Sequence, residues 1–533
     1  MRQLHRSAVG TRSVQLIATA GLAVAAMIVS ACASDSSSQR RVRTVAAAGA
    51  SAGDPLARAD AFVPDANGIV LDGWVGEWPA DAEAVADERW LYLRANVEGF
   101  NAALQAAPET LEFWLDTDAD PATGHRHDSP DTPAVAAALG VDLIVAFSPN
   151  TPTGAGRGAD VFAVSPMGSR ESLGQGEYQL GIAPSYAADW VEIRLARQAA
   201  TPANSSDLNK AGQATGLAVL RDANGTIVGW SGFDEATGED RPFRVELPAF
   251  SDANAATPIP AKPDDAIRVV SWNVLFGSPV ENAAPFARVI EALDPDVVLL
   301  QEWTVDSADE IRSWLSANLT EMLGPDESWS AAMTGAWGVG VASPHPMVMT
   351  EGAAIDAISG DGLLRMVPVI VDTPAGQIAA ATVHLKCCGS ADSREDRQRV
   401  EEAAAIRDYL AVTFDEAAAP TLVVGGDLNL VGSRAPLDTL INGSMHGGHD
   451  LDVVPLASLG EGDSLTWRDA NSQFAAGRLD WMMTGSASTD LVNAFIFDTS
   501  RLDAASLALV GVQPTDTDVS DHLPLVVDVR PRR

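Results

Sequence analysis

The sequence predicts two folded domains, an all-β sandwich followed by an α/β domain. Three observations carry this. The 533 residues exceed what one hydrophobic core usually organises. Residues 62–248 break into short apolar or alternating runs separated by Gly, Pro, Asn and Asp. Residues 267–530 instead alternate buried-strand runs with stretches of helical spacing.

Composition supports a folded chain, with 46% hydrophobic residues. The formal net charge is −37. Such a field argues against a protein that grips long duplex DNA, because Lys and Arg supply that affinity through phosphate contacts. It does not exclude a nuclease, since a bound divalent metal reverses the local sign. Lysine is reduced to Lys210, Lys262 and Lys386. The three cysteines, Cys32, Cys387 and Cys388, cannot build a disulfide framework. Adjacent Cys387 and Cys388 admit either a vicinal disulfide or two thiols.

Residues 1–13 carry Arg2, Arg6 and Arg12 and no acid, and residues 14–31 are small and apolar. This is the pattern of a signal peptide, with a membrane anchor as the alternative. Ile28-Val29-Ser30-Ala31-Cys32 resembles a bacterial lipobox. The resemblance implies cleavage after residue 31, lipid on Cys32, and a cell-envelope location outside the cytoplasm. Residues 33–61, rich in Ser, Ala, Gly and Arg, read as a flexible tether.

The sandwich domain, 62–248, opens on Leu71-Asp72-Gly73-Trp74. Its strand signals include 90–95, 111–115, 141–147, 190–195 and 216–220. It loosely resembles β-sandwich modules found beside secreted hydrolases, some of which bind carbohydrate. Asp116, Asp118 and Asp120 alternate before a turn, which suits a calcium ion or simply a solvated acidic turn. His125 and His127 read as exposed turn residues. Prolines 258, 260 and 263 mark 249–266 as a linker.

In the α/β domain, residues 267–272, 297–300, 339–342, 367–371, 378–385, 422–425, 479–483 and 525–529 read as strands. Residues 285–293, 307–319 and 394–410 read as helices. Several strands run directly into acidic, amide or histidine residues. Side chains at strand ends are where sites in α/β folds are built.

Those residues suit phosphoester chemistry. Hydrolysis needs a cation to neutralise phosphoryl oxygens, a base for water and a donor for developing charge. Glu302 is the best direct metal ligand, with Asn273 and Asp521 as co-ligands. Hard oxygen donors favour Mg²⁺, with Mn²⁺ or Ca²⁺ as alternatives. Asp427 and Asn429 lie two apart and can face one side of an extended segment. His522 serves as acid/base or as a charged donor to phosphate. Arg365 and Lys386 are either phosphate contacts or solvated cations. Arg397 and Arg399 read as surface charges on the long helix.

The ordered set Ser271-Trp272-Asn273, Gln301-Glu302, Val383-His384-Leu385, Gly426-Asp427-Leu428-Asn429, Leu479-Asp480-Trp481 and Ser520-Asp521-His522 resembles the endonuclease/exonuclease/phosphatase superfamily. The resemblance implies a DNase I-like four-layer α/β sandwich. It implies that Asp427 orients or deprotonates the attacking water, that Asn429 holds the phosphate and that Asp480 pairs with His522. His384 matches a histidine that contacts the scissile phosphate or assists the leaving group. One position departs: Leu275 stands where some nucleases of the family carry a second carboxylate, which weakens a two-metal reading. The expected function is a surface-anchored, metal-dependent phosphoesterase, first an extracellular nuclease. The alternatives are a sphingomyelinase- or phospholipase C-like lipid phosphodiesterase and an inactive glycan- or surface-binding lipoprotein.

Overall fold

The computed structural model describes residues 68–532, apart from 98–101, 130, 150–155, 235–238, 255–256, 324–327, 335–337, 357–362, 415–420 and 446–447. The segment expected to be a signal peptide, Cys32 and the expected tether lie outside the described residues. No helix among the described residues is long and apolar enough to cross a membrane.

The N-terminal strands form two antiparallel sheets. One orders Ala84–Ala86, Trp90–Asn96, Trp190–Ala196 and Gly181–Ala183. The other orders Ile227–Trp230, Gly212–Arg221, Thr110–Asp116, Leu143–Phe147, Ala159–Val164 and Arg170–Ser172, and Phe243–Leu247 also pairs with Gly212–Arg221. Leu91, Leu93, Ile193 and Leu195 from the first sheet share a core with Leu111, Phe113, Val145 and Phe147 from the second. Their spacing of two puts one face of each strand inward, as the sandwich pattern requires.

The C-terminal half has four layers. One six-stranded sheet orders Ser330–Met333, Gly340–Ser343, Val297–Gln301, Ile267–Asn273, Leu525–Pro531 and Thr489–Ile496. The second orders Met347–Met349, Met366–Thr373, Gly376–His384, Thr421–Asp427, Asp480–Gly485 and Leu451–Val453. Alternate residues of the same strands choose different cores. Val269, Val297 and Leu299 meet Val369, Ala380 and Val423 between the sheets. Val270, Val298 and Leu300 face outward onto Phe286, Ile290 and Leu315 of helices Ala283–Leu293 and Ala308–Asn318. On the opposite flank Ala381 and Val424 pack on Ala403, Ile406 and Leu410 of helix Arg394–Thr413. Strands buried on both faces read as continuous apolar runs, which is why they were visible in the sequence. The short helix Ala435–Ile441 and the strand Thr489–Ile496 were not. The helix spans only two turns, and the middle of that strand is half-buried and mixed in polarity.

The two halves are fused through the loop 454–479. Leu71 exchanges backbone hydrogen bonds with Gly462 and Ser464, and Ile182 and Leu180 bond Ala476. Beneath them Arg194, 2% exposed, pairs with Glu461 at 3.1 Å and with Asp463. Arg89 and Arg501 approach the same Glu461 at 2.9 and 3.3 Å. Within 249–266, Asn254 donates to the carbonyls of Ser500 and Leu502, so this segment is packed onto the C-terminal half.

Two expectations need correction. Arg399 is not a surface charge. It is fully buried and donates to the carbonyls of Lys386 and Cys388 at 3.0 and 2.6 Å, and to Asp396 at 2.9 Å. It therefore shapes the turn after His384, whereas Arg397 is exposed. His127 is not an exposed turn residue either. Its ring stacks 3.9 Å from that of Trp114, and burial, with His125 beside it, lowers its pKa to about 4.

Candidate active site

Register assembles the site. His384, Asp427 and Asp480 are cross-strand partners at the ends of three adjacent strands of one sheet. Asn273 pairs with Gln301 at the matching end of the other sheet, and Glu302 follows at φ 60°. Gln301 bridges the sheets by donating to Ser271 Oγ at 3.2 Å and Thr382 Oγ1 at 2.8 Å. Gly426 lies at φ 149°, and a Cβ there would stand 1.9 Å from the Val383 carbonyl oxygen. Only glycine lets the neighbouring strand close up beside Asp427.

His522 is held from both sides. Its Nδ1 lies 2.7 Å from Asp480 Oδ2, and Trp272 Nε1 donates to its carbonyl at 3.0 Å. Ser520 Oγ accepts the His522 amide at 3.1 Å and donates to the Asn273 carbonyl at 2.7 Å. The Asp480 contact assigns the proton to Nδ1 and leaves Nε2 facing Asp427 Oδ2 at 3.9 Å. Burial opposes a charge on His522, but Asp480 outweighs it and its pKa is pushed up to about 10. Burial, reinforced by Asp480, pushes Asp427 up to about 7. Asn429 donates its amide to Asp427 Oδ1 at 2.8 Å and anchors its own side chain on the Leu385 carbonyl at 3.3 Å.

His384 lies opposite. Its Nε2 is 3.5 Å from Asp427 Oδ2 and 3.8 Å from Glu302 Oε1. Arg365 reaches His384 Nδ1 at 3.4 Å and the Leu385 carbonyl at 2.7 Å. A guanidinium can only donate, so Nδ1 accepts and Nε2 carries the proton. Burial first, then the charges of Arg365 and His522, hold its pKa well below the usual histidine range. Lys386 reaches toward Cys387 Sγ at 3.7 Å, and Cys387 and Cys388 are free thiols.

The donors fit a hard divalent cation. Ligand atoms of Glu302, His384 and Asp427 lie within 4.8 Å of one another, whereas the neighbouring group of Asp427, Asp480 and His522 is taken up by the His522–Asp480 hydrogen bond. Asn273 adds an amide that donates to Asp427 Oδ2 at 3.2 Å. Asp521 stands outside both groups. Its Oδ2 accepts from Trp467 Nε1 at 2.8 Å, while its buried Oδ1 has no hydrogen-bond partner. A buried carboxylate oxygen left bare in this way is costly without a cation or proton.

Three contributors had no sequence signal. Thr466 Oγ1 accepts the amides of Leu479 and Asp480, each at 2.9 Å, and so anchors the strand end that carries the histidine's partner. Trp467 holds Asp521. Both lie on the irregular loop that binds the sandwich, where no periodicity announces them. Phe276, 69% exposed, follows Leu275 in a run of left-handed residues and donates its amide to Glu302 Oε2 at 3.3 Å.

In the sandwich domain the structure gathers Asp116, Asp118 and Asp142 within 4.8 Å. Asp120 is outside that group, and its carboxylate accepts the Ala122 amide at 2.9 Å. Asp116 is fully buried with Oδ1 unpartnered, and burial pushes its carboxyl up to about 6.

Residues 270–522 match the Endonuclease/Exonuclease/phosphatase family. No curated protein sequence matches the chain. Among solved structures, the human Nocturnin catalytic domain with bound sulfate is 18% identical, covering 51% of this chain and 97% of its own, with a TM-score of 0.34. Beta toxin 275-280 from Staphylococcus aureus is 19% identical, covering 49% and 99%, at 0.32. An AP endonuclease from Archaeoglobus fulgidus is 14% identical, covering 49% and 98%, at 0.31.

Proposed function

We propose that residues 270–522, which match the Endonuclease/Exonuclease/phosphatase family, form a phosphoester-hydrolase domain, and that the whole protein is a divalent-metal-dependent phosphodiesterase tethered outside the cytoplasm, with nucleic acid as its first substrate class. The observation that carries the catalytic reading is the buried His522–Asp480 pair, 2.7 Å apart, facing Asp427. The tether rests on the Cys32 lipobox.

Glu302, with Asn273 beside it, would hold the cation, Mg²⁺ ahead of Mn²⁺ or Ca²⁺. When bound, the cation neutralises the non-bridging phosphoryl oxygens. Asp427, fixed by the Asn429 amide, receives the proton of the attacking water at Oδ2. Its elevated pKa places it close to neutral pH, where a general base works best. His522, kept charged by Asp480, donates from Nε2 to phosphate. His384, neutral and protonated at Nε2, supplies a second donor on the far side of Asp427. Arg365 sets that ring's tautomer, and Asn429 and Lys386 complete the phosphate surroundings.

One observation favours a lipid phosphodiesterase as a second reading. Phe276, 69% exposed and donating its amide to Glu302, and Val280, 61% exposed and four residues further on, offer apolar surface that suits a membrane. The sandwich module is assigned a calcium site at Asp116, Asp118 and Asp142, and the same module is the candidate for carbohydrate binding.

The test is a parallel assay of the full chain with Mg²⁺, Mn²⁺ or Ca²⁺ against plasmid DNA, RNA and sphingomyelin micelles, with an EDTA control. Metal-dependent cleavage of DNA or RNA supports the nuclease reading. Cleavage of sphingomyelin alone moves the assignment to lipid. Silence on all three removes both.

A further inference from the structure

A cleft of about 680 Å³ lies beside the site, and its two walls come from different halves of the chain. The sandwich contributes Gln175, Gly176, Gln179 and Leu180. The C-terminal half contributes the loop carrying Trp467 and Asn471, and the rim residues Leu275 and Asp521. Asp521 precedes His522, and Leu275 follows Asn273 by two residues, so the cleft adjoins the catalytic centre. Gln175 fixes the join, donating from Nε2 to the carbonyls of Asp469 and Ser472 at 2.8 and 3.1 Å.

The lining decides what chemistry fits. Its three arginines are already committed. Arg194 is paired with Glu461 and Asp463, Arg468 with Asp498 and Asp518, and Arg501 with Glu461 and Asp498. Against them stand five aspartates, including Asp469 and Asp521. A chain of further phosphates would therefore meet net negative charge and no uncommitted arginine among the lining residues. What remains is the flank of Trp467, the aliphatic surfaces of Leu275, Leu465 and Leu523, and the Nε2 of Gln179, whose Oε1 accepts from Arg501 at 3.2 Å. That combination of a few polar groups on apolar walls, at this volume, is that of a small-molecule site.

We infer that this inter-module cleft is a substrate subsite, receiving an uncharged, hydrogen-bonding organic group of nucleoside size esterified to the phosphate that the catalytic residues hold. The inference rests on the phosphodiesterase reading and sharpens it. The cleft then selects the organic group beside the scissile phosphate, and the sandwich module is one wall of its specificity site.

The test uses the full chain and three chromogenic esters: thymidine 5′-monophosphate p-nitrophenyl ester, p-nitrophenyl myo-inositol 1-phosphate and bis-p-nitrophenyl phosphate. Asn471→Trp fills the cleft from an exposed turn, and Asn471→Ala leaves it open. The expected result is that Asn471→Trp raises KM at least tenfold for the thymidine or the inositol ester. Its kcat/KM for bis-p-nitrophenyl phosphate stays within twofold, and Asn471→Ala stays within threefold on every ester. Which ester responds identifies a nucleoside or a polyol as the occupant. A parallel fall on all three, or no change on any, overturns the cleft assignment while leaving the phosphodiesterase intact. Wild-type silence on all three overturns the phosphodiesterase reading and the cleft with it.

Discussion

His522 donates from Nδ1 to Asp480 Oδ2 across 2.7 Å, with both side chains buried. The pair keeps the imidazole charged well above its ordinary range, to a pKa of about 10. Asp480→Asn preserves size and removes the charge. The expected kcat loss on bis-p-nitrophenyl phosphate is about 10²–10⁴-fold, the usual worth of a positioned acid or base. The residual activity should decline above about pH 7, where an unassisted histidine loses its proton, while the wild type holds its rate. An unchanged profile would show that Asp480 does not set the ionisation of His522.

Arg194 joins the two halves. Replacing it by Met leaves Glu461 and Asp463 buried with less compensation. Breaking a buried pair costs about 3–5 kcal/mol. A large drop in the thermal midpoint is expected, and activity at permissive temperature should fall too, because the same loop carries Thr466 and Trp467. Full activity with a lowered midpoint would show that the loop holds its catalytic geometry without the sandwich.

Calcium should raise the thermal midpoint of the full chain, since a ligand held only by the folded state stabilises it, by about 2.7 kcal/mol at a hundred times Kd. Asp142→Asn should abolish this response and Asp120→Asn should retain it. The opposite pattern would return the site to the simple Asp116, Asp118, Asp120 alternation.

The stacked His127 has its pKa lowered to about 4 by burial and by His125. The unfolded chain therefore binds the extra proton between about pH 6.5 and 4. Stability from this group is fully present above the unfolded pKa and is lost as pH falls through that window. His127→Phe keeps the stack on Trp114 and removes the titration. Its thermal midpoint should fall less than that of the wild type between pH 7 and pH 4.5, and equal losses would contradict the assignment.

The motif residues were legible because of strand geometry. A run such as Val297–Gln301 is apolar on both faces and must sit between two layers, so the residue that leaves its end, Glu302, emerges at a site. The cross-strand row of His384, Asp427 and Asp480 follows from pairing that local sequence does not encode, and the family resemblance implied only that Asp480 pairs with His522. The join between the halves was not legible. Thr466, Trp467 and Gln175 act from irregular backbone, and their partners lie across long sequence separations, as in the Gln175 bond to the Asp469 carbonyl. Arg399 was misread because a guanidinium on a helix is usually solvated, and here the turn after His384 supplies carbonyls that bury it. Asp142 was missed because it joins Asp116 from the residue that precedes the adjacent strand Leu143–Phe147 rather than from the same turn.

The most direct measurement is the initial rate of bis-p-nitrophenyl phosphate hydrolysis by wild type, Glu302→Gln and His522→Ala as Mg²⁺ is titrated. The account predicts no turnover in EDTA and saturable activation of the wild type. Glu302→Gln should need at least tenfold more metal for half-activation, and His522→Ala should saturate at the wild-type concentration with kcat reduced at least a hundredfold. Metal-independent turnover, or variants that match the wild type, would contradict the assignment of phosphodiester hydrolysis to this site.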